Sequence, residues 1–173
     1  PSSPLLSHEN TIIGNTVLYG ATSGRLFAAG QAGERFAVRN SGASAVAEGC
    51  GTSGCEYMTG GLVVILGNVG DNFAAGMTGG MAFVLDPDKT FEEHINDEHV
   101  IFQRIKSAYW EGLCRNLIQE HSTETGSNIA EDLLIHWDLE VEKFWQIIPK
   151  ETVNMLKEPL SDEKLEIRAA VGD

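Results

Sequence analysis

The sequence predicts a mainly β chain, a parallel β-solenoid with turns of about 19 residues, followed by a short α-helical C-terminal tail. Two observations in the first half predict the solenoid: glycine recurs at a nearly constant interval, and a short apolar run follows each recurrence. A third observation predicts the tail, because the second half changes to apolar residues at helical spacing. With 173 residues, the chain can bury a core without disulfides or metal ions.

Four copies of a short glycine-ending motif define the repeat. The final glycines are separated by 18, 19 and 19 residues and are Gly24, Gly42, Gly61 and Gly80. The apolar runs that follow are too short for helices, and a chain that returns to the same phase every 19 or so residues stacks its turns on one another. We therefore expect these four glycines to be structural turn residues that need a positive φ or a close backbone contact. The competing fold, a meander of hairpins, would show Asn-Gly or Asp-Gly turns, and neither pair occurs in residues 1–85.

The spacing of the repeat also predicts the structure of segments on either side of the four glycine motifs. Residues 16–19 are predicted to form a strand before the first turn glycine. Residues 100–102 fall at the strand position of a fifth turn, with a helix capped by Asn96 or Asp97 as the alternative. Residues at the same phase should stack in a column, or in the column one residue further on, and these are Leu26, Ser44, Val63 and Ala82.

The second half is predicted to be helical and acidic. Residues 1–85 carry a net charge of −2, whereas residues 86–173 carry −11 and hold all three tryptophans. One helix face is formed by Trp110, Leu113, Leu117, Ile118 and His121. Gly126 should end this helix and Ser127 should cap the next. The apolar stripe should then continue to Pro149 through Ile129, Leu133, His136, Trp137 and Phe144.

Two domains follow from this change of pattern. Residues 1–106 are predicted to form a β-helix that lacks upstream turns, and residues 107–173 an acidic helical tail packed on it or on neighbouring domains. An open β-helix end exposes strand edges, so we also expect self-association through that end.

Composition excludes several classes of partner. The net charge of −13 disfavours binding to nucleic acid or an anionic membrane surface. The uncharged segment 57–70 is too short to span a bilayer, and no signal peptide is recognisable, so a cytoplasmic protein is expected. The odd number and wide spacing of Cys50, Cys55 and Cys114 indicate buried, reduced cysteines.

No segment assembles a catalytic, cofactor-binding or metal site. Residues 49–54 match GxGxxG, but no helix-forming segment follows, so we interpret these glycines as turn residues. The absence of lysine before Lys89 excludes a phosphate-binding loop in the glycine-rich half. Residues 92–94 and 97–99 are rich in possible metal ligands, which we interpret as a surface cluster. His121 and His136 are interpreted as packed, hydrogen-bonded side chains.

Longer segments of the sequence resemble the C-terminal domain of the large (alpha) subunit of glutamate synthase. They occupy residues 14–22 (GNTVLYGAT), 32–42 (AGERFAVRNSG), 55–61 (CEYMTGG) and 72–80 (NFAAGMTGG). The tail contributes residues 117–121 (LIQEH) and 125–127 (TGS), and the resemblance covers about residues 9–150.

The resemblance implies a right-handed β-helix of the GXGXG type that acts as a non-catalytic structural domain. It implies that the whole enzyme converts L-glutamine and 2-oxoglutarate to two L-glutamates with a reduced electron donor, which is NADPH, NADH or ferredoxin. FMN and a [3Fe-4S] cluster are expected in the rest of the enzyme and no cofactor in this segment. The implied partners are the amidotransferase and FMN-binding synthase domains, together with the small subunit.

An alternative function stays open at this point. The chain is also similar, more loosely, to the β-helical subunit of formylmethanofuran dehydrogenase. On that interpretation it is a free-standing binding or scaffold protein within another oxidoreductase complex.

Overall fold

The computed structural model describes residues 6–162. Residues 1–5 of the predicted β-helix domain and residues 163–173 of the predicted tail therefore lie outside the described residues. The strands are β1 Thr11–Ile13, β2 Arg25–Ala28, β3 Gln31–Ala32, β4 Ser41–Ala47, β5 Thr59–Ile65, β6 Gly79–Leu85, β7 Val100–Arg104 and β8 Phe144–Pro149. The α-helices are α1 Phe91–His94, α2 Ala108–Thr125, α3 Asn128–Ile135 and α4 Trp137–Glu140, with 3₁₀ segments at Ser7–Glu9, Val141–Lys143 and Lys150–Met155.

Within residues 6–162, four coils stack through parallel strands, which confirms the predicted β-solenoid. On the first side of each coil, β2, β4, β5 and β6 pair in that order and in parallel. Leu26 pairs with Ala45, Ala45 with Val63, and Val63 with Ala82. The predicted column is correct except for Ser44, because a register shift between Ser41 and Ser44 moves the pairing by one residue. A second side is formed by the parallel pair β1 and β3 and by single bridges at Cys50 and Val69.

The third side of each coil is not a β-strand. It consists of residues 15–20, 34–39, 52–57 and 71–76, in which every second residue has a positive φ of 53–66°. These segments still bond from coil to coil: the backbone N–H of Arg35 donates to Thr52 O at 2.8 Å and that of Ala37 to Val17 O at 2.9 Å. The prediction of a strand at residues 16–19 is therefore wrong. Hydrogen bonds between coils offset the local cost of a left-handed backbone.

The fourth coil is followed by antiparallel pairing. Strand β8, from the second half of the chain, lies between β6 and β7 and is antiparallel to both. The strand predicted at residues 100–102 exists, but it is not a fifth parallel rung. The helical stripe predicted to run to Pro149 is also wrong from Phe144 onward, because Phe144–Pro149 supplies a partner for the exposed edge of β6.

Side chains of the first side alternate between two cores. Inward residues such as Ala45, Val63 and Ile65 fill the interior of the stack. Outward residues such as Val46 and Phe83 are covered by α2 and α3. The predicted stop at Gly126 is confirmed by its left-handed conformation, with φ at 66°. Among residues 6–162, no helix combines the length and apolar character needed to cross a membrane.

Candidate functional site

A buried polar joint connects the solenoid to the helical tail. Glu48 follows β4 at a corner of the second coil, His121 lies on α2, and Ser127 is the residue before α3. Glu48 Oε1 accepts a hydrogen bond from Ser127 Oγ and lies 3.3 Å from His121 Nε2. All three residues are buried, and Ser127 Oγ also accepts from the backbone N–H of Ala130 at 3.1 Å. The predicted helix cap at Ser127 is therefore confirmed, and it is shared with the joint.

The order of these groups excludes a hydrolytic triad at the joint. A triad places histidine between the serine and the carboxylate, so that the imidazole can take the serine proton. Here the carboxylate of Glu48 lies between the other two groups. Within the described residues, His121 Nδ1 has no hydrogen-bond partner. The joint can therefore hold two modules together, and it does not assemble a nucleophile with its base.

A groove of about 850 Å³ lies beside the joint. It runs past successive corners of the coils and is bounded by residues 6–12 on one side and the α2–α3 turn on the other. Glu48 and Ser127 contribute to its wall, together with Asp132 and Glu140. The side chains of Asp132 and Glu140 already lie close to His136 and Lys143, respectively.

A second buried carboxylate fixes the junction after the fourth coil. Asp86 Oδ1 accepts from the backbone N–H of Thr90 at 2.9 Å, and Asp86 Oδ2 accepts from Trp145 Nε1 at 2.9 Å. The Arg104 guanidinium carbon lies 3.7 Å from the centre of the Trp145 ring. Burial lowers the pKa of Arg104, against the opposing effects of Asp86 and Glu92. This cluster ties β8 to the solenoid.

Of the four predicted turn glycines, Gly24 lies directly before β2, and the others are the second or third residues of β4, β5 and β6, namely Gly42, Gly61 and Gly80. Gly24, Gly61 and Gly80 have φ values of 96°, 89° and 78°. Gly42 has no positive φ, but a Cβ atom there would lie 2.2 Å from Thr22 O. Two different constraints therefore act at these positions: handedness at Gly24, Gly61 and Gly80, and close approach of the preceding coil at Gly42, Gly61 and Gly80.

Buried Asn40 forms the corner before β4. Its Oδ1 accepts from the backbone N–H of Ala43 at 2.9 Å, and its Nδ2 donates to Ala43 O at 2.9 Å. The side chain thus satisfies backbone groups that the turn leaves without partners.

The residues considered from sequence as possible ligands do not come together. Within residues 6–162, no three His, Cys, Asp or Glu side chains are arranged so that they could hold a metal ion. His94 Nδ1 lies 2.6 Å from Asp71 Oδ1 at the surface, and His99 lies near Glu98. His121 is packed as predicted, whereas His136 is exposed and the prediction that it is packed is wrong. The GxGxxG residues 49–54 lead into the third side of a coil and not into a helix.

The three cysteines are free thiols in the interior. All three are buried, and burial raises the pKa of Cys50 to about 12 and those of Cys55 and Cys114 well above the usual thiol value. A protonated, buried thiol is neither a nucleophile nor a metal ligand.

The sequence segments that resemble glutamate synthase lie on the coils of the solenoid and on the buried polar joint. The family model described as GXGXG motif matches residues 1–150, which is most of the chain. The chain belongs to the GXGXG family. Its solenoid and the α2–α3 joint both fall within the matched residues.

Curated relatives are large glutamate synthases. The chain is 65% identical over 159 residues to the glutamate synthase [NADPH] large chain of Azospirillum brasilense, covering 92% of this chain and 10% of that protein. It is 54% identical over 141 residues to the chloroplastic ferredoxin-dependent glutamate synthase of Spinacia oleracea, covering 82% and 9%. It is 50% identical over 151 residues to the glutamate synthase [NADPH] large chain of Bacillus subtilis, covering 87% and 10%. The chain thus spans about a tenth of the length of these relatives.

Sequence reasoning missed the polar joint. Glu48 is the one charged residue between Arg39 and Glu56, and a carboxylate in such a segment signals a buried partner. Its partners are 73 and 79 residues away along the chain, so the sequence could not identify them.

Proposed function

We propose that this chain is a non-catalytic structural domain of a glutamate synthase. The whole enzyme would convert L-glutamine and 2-oxoglutarate to two L-glutamates with a reduced electron donor. The observation that carries the proposal is the stack of four hydrogen-bonded coils, which the buried Glu48 side chain connects to the helical tail. It is combined with 65% sequence identity to a glutamate synthase large chain. The alternative of a scaffold protein in another oxidoreductase has no support among the relatives.

The donor set within residues 6–162 does not fit an iron–sulfur cluster. Such clusters need several cysteine thiolates around one site. Cys114 lies on α2 in the outer core, apart from Cys50 and Cys55 inside the stack, and burial raises the pKa of all three thiols. In this proposal the [3Fe-4S] cluster belongs to other parts of the enzyme, and so does FMN.

The partners of the domain would be the amidotransferase and FMN-binding synthase domains. Strand β2 pairs with β4 along one edge and has no partner strand along the other within residues 6–162. An open strand edge favours pairing with further chain. We propose that another part of the enzyme covers this edge, with the small subunit and a second copy as further candidates. The proposed location is the cytoplasm.

The purified 173-residue chain tests the absence of catalysis directly. We expect no saturable change in FMN fluorescence on titration and no ammonia release from glutamine. Cys55→Ala serves as the matched control, because a cysteine amidotransferase would lose activity with its nucleophile. Stoichiometric flavin binding, or ammonia release that disappears in Cys55→Ala, would overturn the proposal.

A further inference from the structure

One column of left-handed residues carries large exposed side chains. The four equivalent positions in successive coils are Gly20, Arg39, Tyr57 and Gly76, with φ values of 64°, 55°, 53° and 63°. Glycine adopts this backbone without steric cost, and other residues do not. The fold therefore accepts glycine at this column, yet its two central positions hold arginine and tyrosine.

The side chains at these positions form an exposed strip with Tyr19. Arg39 Nη1 donates to Tyr19 Oη at 3.2 Å, and the guanidinium carbon lies 5.9 Å from the centre of the Tyr19 ring. The Tyr57 ring covers Gly76, where an added Cβ would lie 2.4 Å from Tyr57 Cδ1. Tyr19 and Tyr57 are each 56% exposed. We call Tyr19, Arg39 and Tyr57 the Tyr–Arg–Tyr strip.

Arg39 differs from the other arginines of the first half. Arg25 forms an ion pair with Glu120, and Arg35 Nε lies 4.0 Å from Glu56 Oε2. Arg39 has no carboxylate partner within residues 6–162, although the chain carries 25 acidic residues. Its guanidinium therefore offers a planar set of donors at the surface, a geometry that matches a carboxylate.

We propose that the Tyr–Arg–Tyr strip docks a carboxylate-bearing segment of the same polypeptide that lies outside these 173 residues. The proposal rests on the proposed function, since it takes the chain to be a domain of a larger enzyme. About nine-tenths of the length of the relatives lies outside the matched segment, so that most of the protein is available to cover this face. Exposed tyrosine and arginine side chains are enriched where proteins bind one another.

Site-specific photocrosslinking in the full-length glutamate synthase that contains this chain tests the proposal. p-Benzoylphenylalanine replaces Tyr57 in one variant and Tyr109, which is 50% exposed on α2, in the control variant. Mass spectrometry of the irradiated enzyme identifies the peptide joined to position 57. We expect an intramolecular crosslink to a segment outside the 173 residues that contains Asp or Glu.

Two substitutions then separate docking from folding. Arg39→Gly suits the left-handed backbone and should lower the crosslink yield at position 57 about tenfold, the factor for losing one charge-assisted contact, without lowering the melting temperature. Arg25→Gln, which removes an arginine elsewhere on the solenoid, should leave that yield unchanged. A merely structural role for Arg39 would lower the melting temperature and leave the yield unchanged.

The outcomes also distinguish this proposal from the proposed function. No crosslink at position 57 above that of the Tyr109 control, or a crosslink only to a second copy of the enzyme, would overturn the docking proposal. Either result would leave the structural role intact, because that role is judged by whether the full-length enzyme couples ammonia release from glutamine to glutamate formation, and not by contacts of this strip.

Discussion

Replacing Gly61 by alanine adds one methyl group near the start of β5, where the backbone leaves no room for it. The new Cβ would lie 2.3 Å from Ala43 O and 2.7 Å from Asn40 Nδ2. Both neighbours belong to the preceding coil, and Asn40 is held there by its own hydrogen bonds. The substitution therefore pushes two coils apart and cannot be absorbed by a flexible side chain.

The expected cost has two parts. A non-glycine residue at the φ of 89° found here costs about 1–2 kcal/mol. Overpacking against fixed backbone costs about 1–3 kcal/mol more. We therefore expect Gly61→Ala to lower the free energy of unfolding by about 2–5 kcal/mol.

Two glycines provide matched controls. Gly20 has a φ of 64° with nothing within 4 Å of an added Cβ, so Gly20→Ala should cost only about 1 kcal/mol. Gly112 lies inside α2 with open space and no positive φ, so Gly112→Ala should stabilise the chain by about 0.5–1 kcal/mol. Urea unfolding followed by tryptophan fluorescence measures all three. Equal losses for Gly61→Ala and Gly20→Ala would refute the close-contact argument.

Three further predictions concern buried polar groups. Glu48→Ala should lower the free energy of unfolding by about 3–5 kcal/mol, because it leaves buried partners without a hydrogen bond. The control, exposed Glu34→Ala, should change it by less than about 0.5 kcal/mol, and equal shifts in melting temperature for the two variants would contradict the stabilising role of the joint. Ser127→Ala should cost about 1–2 kcal/mol through loss of the cap, and an unchanged urea midpoint would count against it. Because burial raises the thiol pKa, native thiols keep protons that unfolded thiols lose, so stability should fall above pH 9 by up to about 1.4 kcal/mol per pH unit and thiol. Urea midpoints measured from pH 8 to 10 test this. In the control, alanine replaces all three cysteines, and the loss of stability per pH unit must be smaller; the three cysteines are Cys50, Cys55 and Cys114.

The sequence predicted the stack well because its constraints are local and periodic. The interval between glycine corners reports the length of one coil, and the apolar runs report the strand that each coil contributes. The one error in the predicted column arises from a single-residue shift near Ser41, which an interval of 18 or 19 residues cannot locate.

Other features could not be predicted because tertiary contacts decide them. The left-handed residues of the third side include Thr16, Arg35 and Ser53, and none of these residue types favours that backbone alone. Hydrogen bonds between coils stabilise it, and these exist only once the stack has formed. A short apolar run such as Phe144–Pro149 fits either a buried helix or a strand, and the open edge of β6 selects the strand.

We propose that the rigid solenoid, as a structural domain of a glutamate synthase, keeps the amidotransferase and synthase domains of the enzyme in their relative positions. This proposal is tested most directly by measuring free ammonia released per electron donor oxidised in the full-length enzyme carrying Gly61→Ala, beside the Gly112→Ala control. Misplacing two sites separates reactions that depend on their alignment. We predict that Gly61→Ala releases more free ammonia per donor oxidised than the control, with unchanged FMN content. An unchanged ratio in an enzyme whose solenoid has been shown to be destabilised would contradict the account.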